Sequence, residues 1–132
     1  MQRNLVLGLT TLVSQVKETR LVPLVLDVAR QVPRGTLTEV HAAWDRAEET
    51  FLARLLPRLT TTEAQALSVE NRAYLNQRLL RDISEEATVA ILLTLASAGE
   101  SGSGAVARIH LESPSPQVRE AAREYLQRGG TI

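Results

Sequence analysis

Apolar residues recur along the chain at the spacing of helix faces, and the alternation that is typical of strands is weak. Residues 4–17 carry one such face, made of Leu5, Leu9, Leu12 and Val16. Residues 20–32 carry another, made of Leu21, Leu24, Val25, Val28 and Val32. Because these spacings bring side chains to one side of an α-helix, each segment predicts a helix that buries this face.

The most regular stripe follows Thr36. Thr36 and Glu39 have the spacing of a capping box, in which the hydroxyl and the carboxylate satisfy free backbone N–H groups at a helix start. The stripe after this box consists of Leu37, Val40, Trp44, Ala47, Phe51 and Leu55. We therefore expect a long helix whose two aromatic side chains pack in the core.

Thr60 and Glu63 repeat this spacing and open a more polar helical region that extends to about Arg81. The inward face of this region has two alternatives. One consists of Ala66, Val69, Ala73 and Leu80, and the other consists of Leu67, Tyr74 and Leu75, with a bend near Ser68 to Asn71.

The next segment is the most apolar one. Ser84, followed by two glutamates, predicts the N-cap of a helix. That helix, Ala87 to Ala98, is apolar nearly all round, which predicts a central position covered on several sides. The glycine- and serine-rich residues 99–104 then predict a flexible break.

A proline-marked turn separates the last two predicted helices. A short helix over about residues 105–111 precedes the turn, and Ser115 with Pro116 starts the second helix. The apolar face of this second helix consists of Val118, Ala121, Ala122, Tyr125 and Leu126. Gly129-Gly130 predicts its end. The outer surface is expected to carry the pairs Glu120/Arg123 and Glu124/Arg128.

This terminal segment resembles a known repeat family. The residues Pro116-x-Val118-Arg119-x-x-Ala122-x-x-x-Leu126 resemble the second helix of a HEAT repeat, and Val106, Ile109 and Leu111 resemble the end of its first helix. The resemblance covers about residues 104–127 and implies a helical-repeat protein that binds other proteins. Many HEAT units carry an aspartate where this chain has Ser113, so Arg119 is expected to be a surface residue. The run from Arg119 to Leu126 also resembles HEAT-type segments that form soluble extensions of larger bacterial membrane transporters.

The sequence lacks a clean internal period of about 40 residues, which a regular array of such repeats would have. The predicted fold class is therefore all-α, as an irregular α-solenoid of antiparallel, HEAT-like helix pairs. An irregular helical bundle is the alternative. The 132 residues fit one domain, so residues 1–132 are predicted to form a single helical-repeat domain.

Composition and charge exclude several classes of function. With 15 basic and 15 acidic residues the formal net charge is zero, so no global field attracts nucleic acid or an anionic membrane. The absence of cysteine excludes disulfides, thiolate catalysis and cysteine zinc sites. The apolar start lacks a small-residue cleavage site, and no stretch reaches the roughly 18 apolar residues of a membrane span. We therefore expect a cytoplasmic protein that begins with an ordinary helix.

Candidate catalytic and metal-binding groups are few. His41, Asp45 and Glu48 share one helix face and have donor atoms for a metal ion, but a solvated face is the favoured interpretation because facing-helix ligands are missing. His110 is interpreted as a surface histidine. Gly102-Ser103-Gly104 is interpreted as a linker, since it has neither the Lys-Ser/Thr of a P-loop nor a preceding strand. No catalytic, cofactor-binding or metal-binding residue is predicted, and no cofactor.

The leading hypothesis is a non-catalytic protein–protein interaction or scaffolding module built from HEAT-like helix pairs, with a protein as its partner and no nucleic acid. The alternative is a soluble regulatory or structural domain of a larger membrane protein such as a transporter. Its partner is then the rest of that protein in cis, without direct membrane insertion. An enzyme is not expected.

Overall fold

A computed structural model of the chain describes residues 3–32 and 39–130, and these residues form helices and no strand. The α-helices are α1 (Arg3–Gln15), α2 (Val22–Ala29), α3 (Glu39–Leu55), α4 (Thr61–Gln65), α5 (Val69–Arg78), α6 (Glu85–Ala98), α7 (Gly104–His110) and α8 (Pro116–Tyr125). Short 3-10 turns cover Thr19–Leu21 and Leu56–Arg58, and a π-type turn covers Leu126–Gly130. The all-α fold class is thereby confirmed.

Hydroxyl side chains fix the starts of the helices α4, α5, α6 and α8. Ser68, Ser84 and Ser115 each accept a hydrogen bond from the backbone N–H three residues later, at 3.0, 3.2 and 3.3 Å. Thr60 and Glu63 form the predicted capping box with both of its bonds. The Ser68 cap divides α4 from α5 and so confirms the predicted bend. Thr36 and Leu37 lie outside the described residues.

Helix α6 lies at the centre of the fold. It packs against α3, α4, α5 and α8, and its side chains Ala90, Ile91, Leu92 and Leu95 are buried. Because α6 is apolar on nearly every side, it can bury surface against several neighbours at once. The predicted central position of this helix is confirmed.

The remaining helices extend the packing from α6 in two directions. Helix α1 packs on α3, which packs on α6, and α7 packs on α8, which packs on α6 from another side. Helix α2 packs on α5. Trp44 and Phe51 of α3 are buried in the core, as predicted. Of the two alternatives for the inward face of α5, the structure has the one with Tyr74 and Leu75.

Two predicted apolar faces were correct only in part: Leu9 and Val16 of the first pack against the core, and Val25 and Val32 of the second are buried. In α1 the buried residues are Val6 and Val13, whereas Leu5 is 53% exposed and Leu12 is 60% exposed. Apolar residues occupy neighbouring stripes of this helix, and spacing alone does not tell which stripe meets α3. In α2, Val25 is buried as predicted, but Leu24 is exposed, and Val22, Leu26 and Ala29 are buried instead.

Polar side chains fasten the connection between α1 and α2 to the middle of the chain. The Arg54 guanidinium donates to the carbonyl of Val16 at 2.8 Å, and the Arg58 guanidinium donates to the carbonyl of Lys17 at 3.3 Å. Both arginine side chains therefore extend toward α1 and its end.

Among the described residues, no helix has the combination of length and apolar character that would let it cross a membrane.

The connection between α6 and α7 is held by a tyrosine. The Tyr125 hydroxyl donates to the carbonyl of Glu100 and accepts a hydrogen bond from the N–H of Ser103 at 3.1 Å. Gly99 ends α6 with a φ of 74°, in the left-handed region that favours glycine. We call Tyr125, Glu100 and Ser103 the Tyr125 anchor. The predicted break at 99–104 coincides with this connection, and its flexibility stays a prediction.

Candidate functional site

An open groove lies over α6, between α3 and α8. Its two adjoining hollows have volumes of about 490 and 390 Å³ and share Val89, Leu93 and Gln117. The other lining residues are Ala53, Pro57, Glu85, Glu86, Ala90, Pro116, Glu120, Ala121 and Glu124. We call this surface the α6 groove.

Helix spacing produces the walls of this groove. The lining residues fall at positions 85–86, 89–90 and 93 of α6 and at 116–117, 120–121 and 124 of α8. Each set is one stripe of a helix, because residues three and four apart lie on the same side. Ala90 and Ala121 are buried between the helices, whereas Leu93 is 37% exposed. The floor of the α6 groove is therefore apolar and accessible.

Every charged side chain that lines the α6 groove is acidic. These side chains are Glu85, Glu86, Glu120 and Glu124. The Ser115 hydroxyl donates to Glu85 at 3.1 Å, and exposed ion pairs join Glu120 to Arg123 at 2.7 Å and Glu124 to Arg128 at 3.6 Å. The arginines next to the α3 side of the groove, Arg54 and Arg58, extend toward α1 instead. An apolar floor thus has an acidic rim.

A second polar arrangement is buried between α3 and α5. The Glu48 carboxylate is fully buried, the Arg78 Nε lies 3.1 Å from it, and the Tyr74 hydroxyl donates to it. A buried carboxylate needs such a cation and such a donor, because an unpaired charge in the core is very costly. We call these three residues the Glu48 cluster, and its place in the core makes it a structural link between the two helices.

The Glu48 cluster corrects one prediction. Glu48 was expected on a solvated face with His41 and Asp45, but it lies on the buried stripe of α3 between Trp44 and Phe51. Positions 44, 48 and 51 lie on one side of the helix, so the place of Glu48 on the apolar stripe already indicated that it is buried. His41 and Asp45 are half-buried, and no group of three or more His, Asp or Glu side chains in the described part of the chain is arranged to hold a metal ion.

The other singled-out residues have local structural contacts. His110 is half-buried, and its Nδ1 lies 2.9 Å from the carbonyl of Val106, one helical turn before it. Arg119 was expected to be a surface residue, but it is half-buried and donates to the carbonyl of Ser113 at 2.7 Å. Without an aspartate at the turn, the backbone carbonyl supplies the acceptor. Ser103 belongs to the Tyr125 anchor.

The α6 groove was missed from the sequence. Its helices α6 and α8 were predicted, but their mutual arrangement brings together glutamates that are between 34 and 39 positions apart, and only the packing reveals it. The geometry suits contact with an apolar, positively charged surface.

Comparison of the chain with protein-family models, curated proteins and solved structures gives no match.

Proposed function

We propose that this chain is a non-catalytic protein–protein interaction or scaffolding module whose contact site is the α6 groove. The observation that carries the proposal is the accessible apolar floor at Leu93, on a helix that otherwise buries most of its apolar side chains. Exposed apolar surface with a polar rim is characteristic of sites where proteins bind one another. The partner surface would cover Val89 and Leu93.

The proposed architecture behind this site is an irregular α-solenoid of HEAT-like helix pairs, with an irregular helical bundle as the alternative. Two features support it: the neighbour order α1, α3, α6, α8 and the pairing of α7 with α8 across the proline-marked turn. Helical-repeat proteins use grooves between successive helices as binding surfaces. The α6 groove has the position of such a surface.

The test combines partner capture with a matched pair of leucine variants. Wild-type protein and the variants Leu93→Ala and Leu80→Ala are used to capture partners from the native host, and each identified partner is then purified and titrated. Leu80 is 63% exposed and does not line the α6 groove. We expect Leu93→Ala to weaken binding about tenfold or more, as for a central contact residue, and Leu80→Ala to change it less than twofold. Equal affinities for all three proteins would refute the proposed site, and turnover of a substrate by the purified protein would refute the proposed class.

A second candidate function is a regulatory or structural domain that docks in cis onto a larger membrane protein. It is favoured by the outer face of α1, where Leu5 and Leu12 are both exposed and lie seven residues apart on one helix side. The open reading frame that encodes the chain tests it. Membrane-spanning segments in the same frame would support this function, and a frame that encodes no more than these residues would contradict it.

A further inference from the structure

We infer that the α6 groove binds an amphipathic α-helix of another protein, and that this helix carries lysine or arginine beside its apolar residues. The inference rests on the proposed function, since it names the kind of partner that the same site accepts. Three observations support it: the charge of the rim, the length of the groove and the composition of the chain's own exposed helix face.

The rim charge selects a basic partner. The groove has four glutamates in its lining and no basic side chain, although the whole chain has a formal net charge of zero. Glu86 has no ion-pair partner among the residues that the structure describes, and Glu85 is bonded to the Ser115 hydroxyl. Glu120 and Glu124 are paired with exposed arginines that do not line the groove. The acidity is therefore local to the groove, where it steers a basic surface and disfavours an acidic one.

The length of the groove suits a short helical contact. The lining residues of α6 extend from position 85 to 93, and those of α8 extend from 116 to 124. At 1.5 Å per residue, eight steps give a length of about 12 Å, which corresponds to roughly two helical turns. Apolar residues one turn apart on the partner helix can then contact Val89 and Leu93, while its flanking cations reach the glutamates on both walls.

A second copy of the chain does not supply such a helix. Outside the groove, the described helices α2, α5 and α7 each expose a single large apolar side chain, whereas α1 exposes several, among them Leu5 and Leu12 on one side. Residues 4–15, which contain this face, include no charged side chain. A second copy would bring leucines to the groove without the cations that its rim favours. A different protein with a basic amphipathic helix matches both the floor and the rim.

Two designed helical peptides of about 14 residues test the inference. They share the same leucine positions one turn apart, and they carry lysine in one peptide and glutamate in the other at the flanking positions. Binding to the full chain is measured by fluorescence anisotropy at low and high salt. We expect the lysine peptide to bind about tenfold tighter or more at low salt, and this ratio to shrink as salt screens the exposed charges.

Charge variants test whether the glutamates of the α6 groove produce the preference for the lysine peptide. Glu86→Lys/Glu124→Lys should reverse the preference between the two peptides, and the milder Glu86→Gln/Glu124→Gln should reduce it. The matched control Glu70→Lys/Glu112→Lys changes two glutamates outside the groove and adds the same charge, so its preference should stay within twofold of wild type. Circular dichroism of each variant verifies that the helices are retained.

The outcomes separate this inference from the proposed function. Equal binding of both peptides, or a preference that the groove variants leave unchanged, overturns the inference. If Leu93→Ala nevertheless weakens binding of the identified native partner, the proposed function stands without it. If sedimentation velocity detects a dimer that Leu93→Ala abolishes, the groove belongs to a second copy and the inference is wrong.

Discussion

The two tyrosines of the protein fasten two regions of the fold in different ways. Tyr74 belongs to the Glu48 cluster, where its hydroxyl donates to a carboxylate that is also paired with Arg78. Tyr125 belongs to the Tyr125 anchor, where its hydroxyl bonds to a backbone carbonyl and a backbone N–H. One tyrosine thus bonds to a member of a buried ion pair, and the other bonds to neutral backbone groups.

This difference determines how each region responds to the loss of one partner. A buried ion pair contributes little net stability, because removing both charges from water offsets their attraction. Removal of one partner is nevertheless severe, since the other charge stays in the core. Removal of a neutral hydroxyl leaves unpaired backbone groups, and their burial costs less than the burial of an unpaired charge. The Glu48 cluster should therefore be the more sensitive of the two regions.

The largest effect is expected from Arg78→Met. The substitution leaves the Glu48 carboxylate in the core without the Arg78 guanidinium, so the free energy of unfolding should fall by about 3–5 kcal/mol. Urea unfolding followed by circular dichroism measures this change. The double variant Glu48→Leu/Arg78→Met replaces both charges by apolar side chains and should recover most of the loss. If the double variant were as unstable as Arg78→Met, buried charge would not explain the sensitivity of this region.

A smaller effect is expected from Tyr125→Phe. The substitution removes the hydroxyl that joins Glu100 and Ser103, so the free energy of unfolding should fall by about 1–3 kcal/mol, the cost of leaving buried polar groups unpaired. The Ser103 amide should also exchange its hydrogen faster, since its acceptor is lost. An unchanged exchange rate at Ser103 would show that the hydroxyl does not hold this connection, and a loss equal to that of Arg78→Met would remove the contrast between the regions.

Local features of the fold were predicted better than features that depend on tertiary packing. The caps at Ser84 and Ser115 and the bend at Ser68 were predicted correctly, because each depends on residues within one helical turn. The central position of α6 was predicted because its composition requires burial on several sides. The resemblance of the last two helices to a HEAT repeat stays a prediction.

Features that depend on a distant partner were predicted less well. The sequence did not reveal that Arg78 compensates the charge of Glu48, because the two residues belong to different helices. The choice between the stripes of Leu5 and Val6 in α1 depends on how α3 is oriented, which periodicity does not specify. The α6 groove depends on the packing of three helices. Its acidic rim and apolar floor consist of residues that each have an ordinary place in their own helix.

The smallest effect concerns the alkaline stability of the Tyr125 anchor. Burial raises the pKa of the Tyr125 hydroxyl above its ordinary value, and the N–H of Ser103 offsets part of this increase. The folded state therefore holds this proton more tightly than the unfolded state does. The resulting stabilisation is complete below the unfolded pKa of about 10 and is lost as the pH rises through the higher folded value.

Absorbance titration of the Tyr74→Phe variant measures this directly, since Tyr125 is then the tyrosine that remains. We expect its ionisation to occur above pH 10 in the folded protein and near pH 10 in urea. Correspondingly, the free energy of unfolding should decline between these two values in the wild type and decline less in Tyr125→Phe. If ionisation occurred at the same pH in the folded and unfolded states, the hydroxyl would be accessible to water. The Tyr125 anchor and the Glu48 cluster would then differ in their exposure to water, not in the charge of their groups. A hydroxyl that ionises as freely as in the unfolded chain cannot be a neutral, buried link.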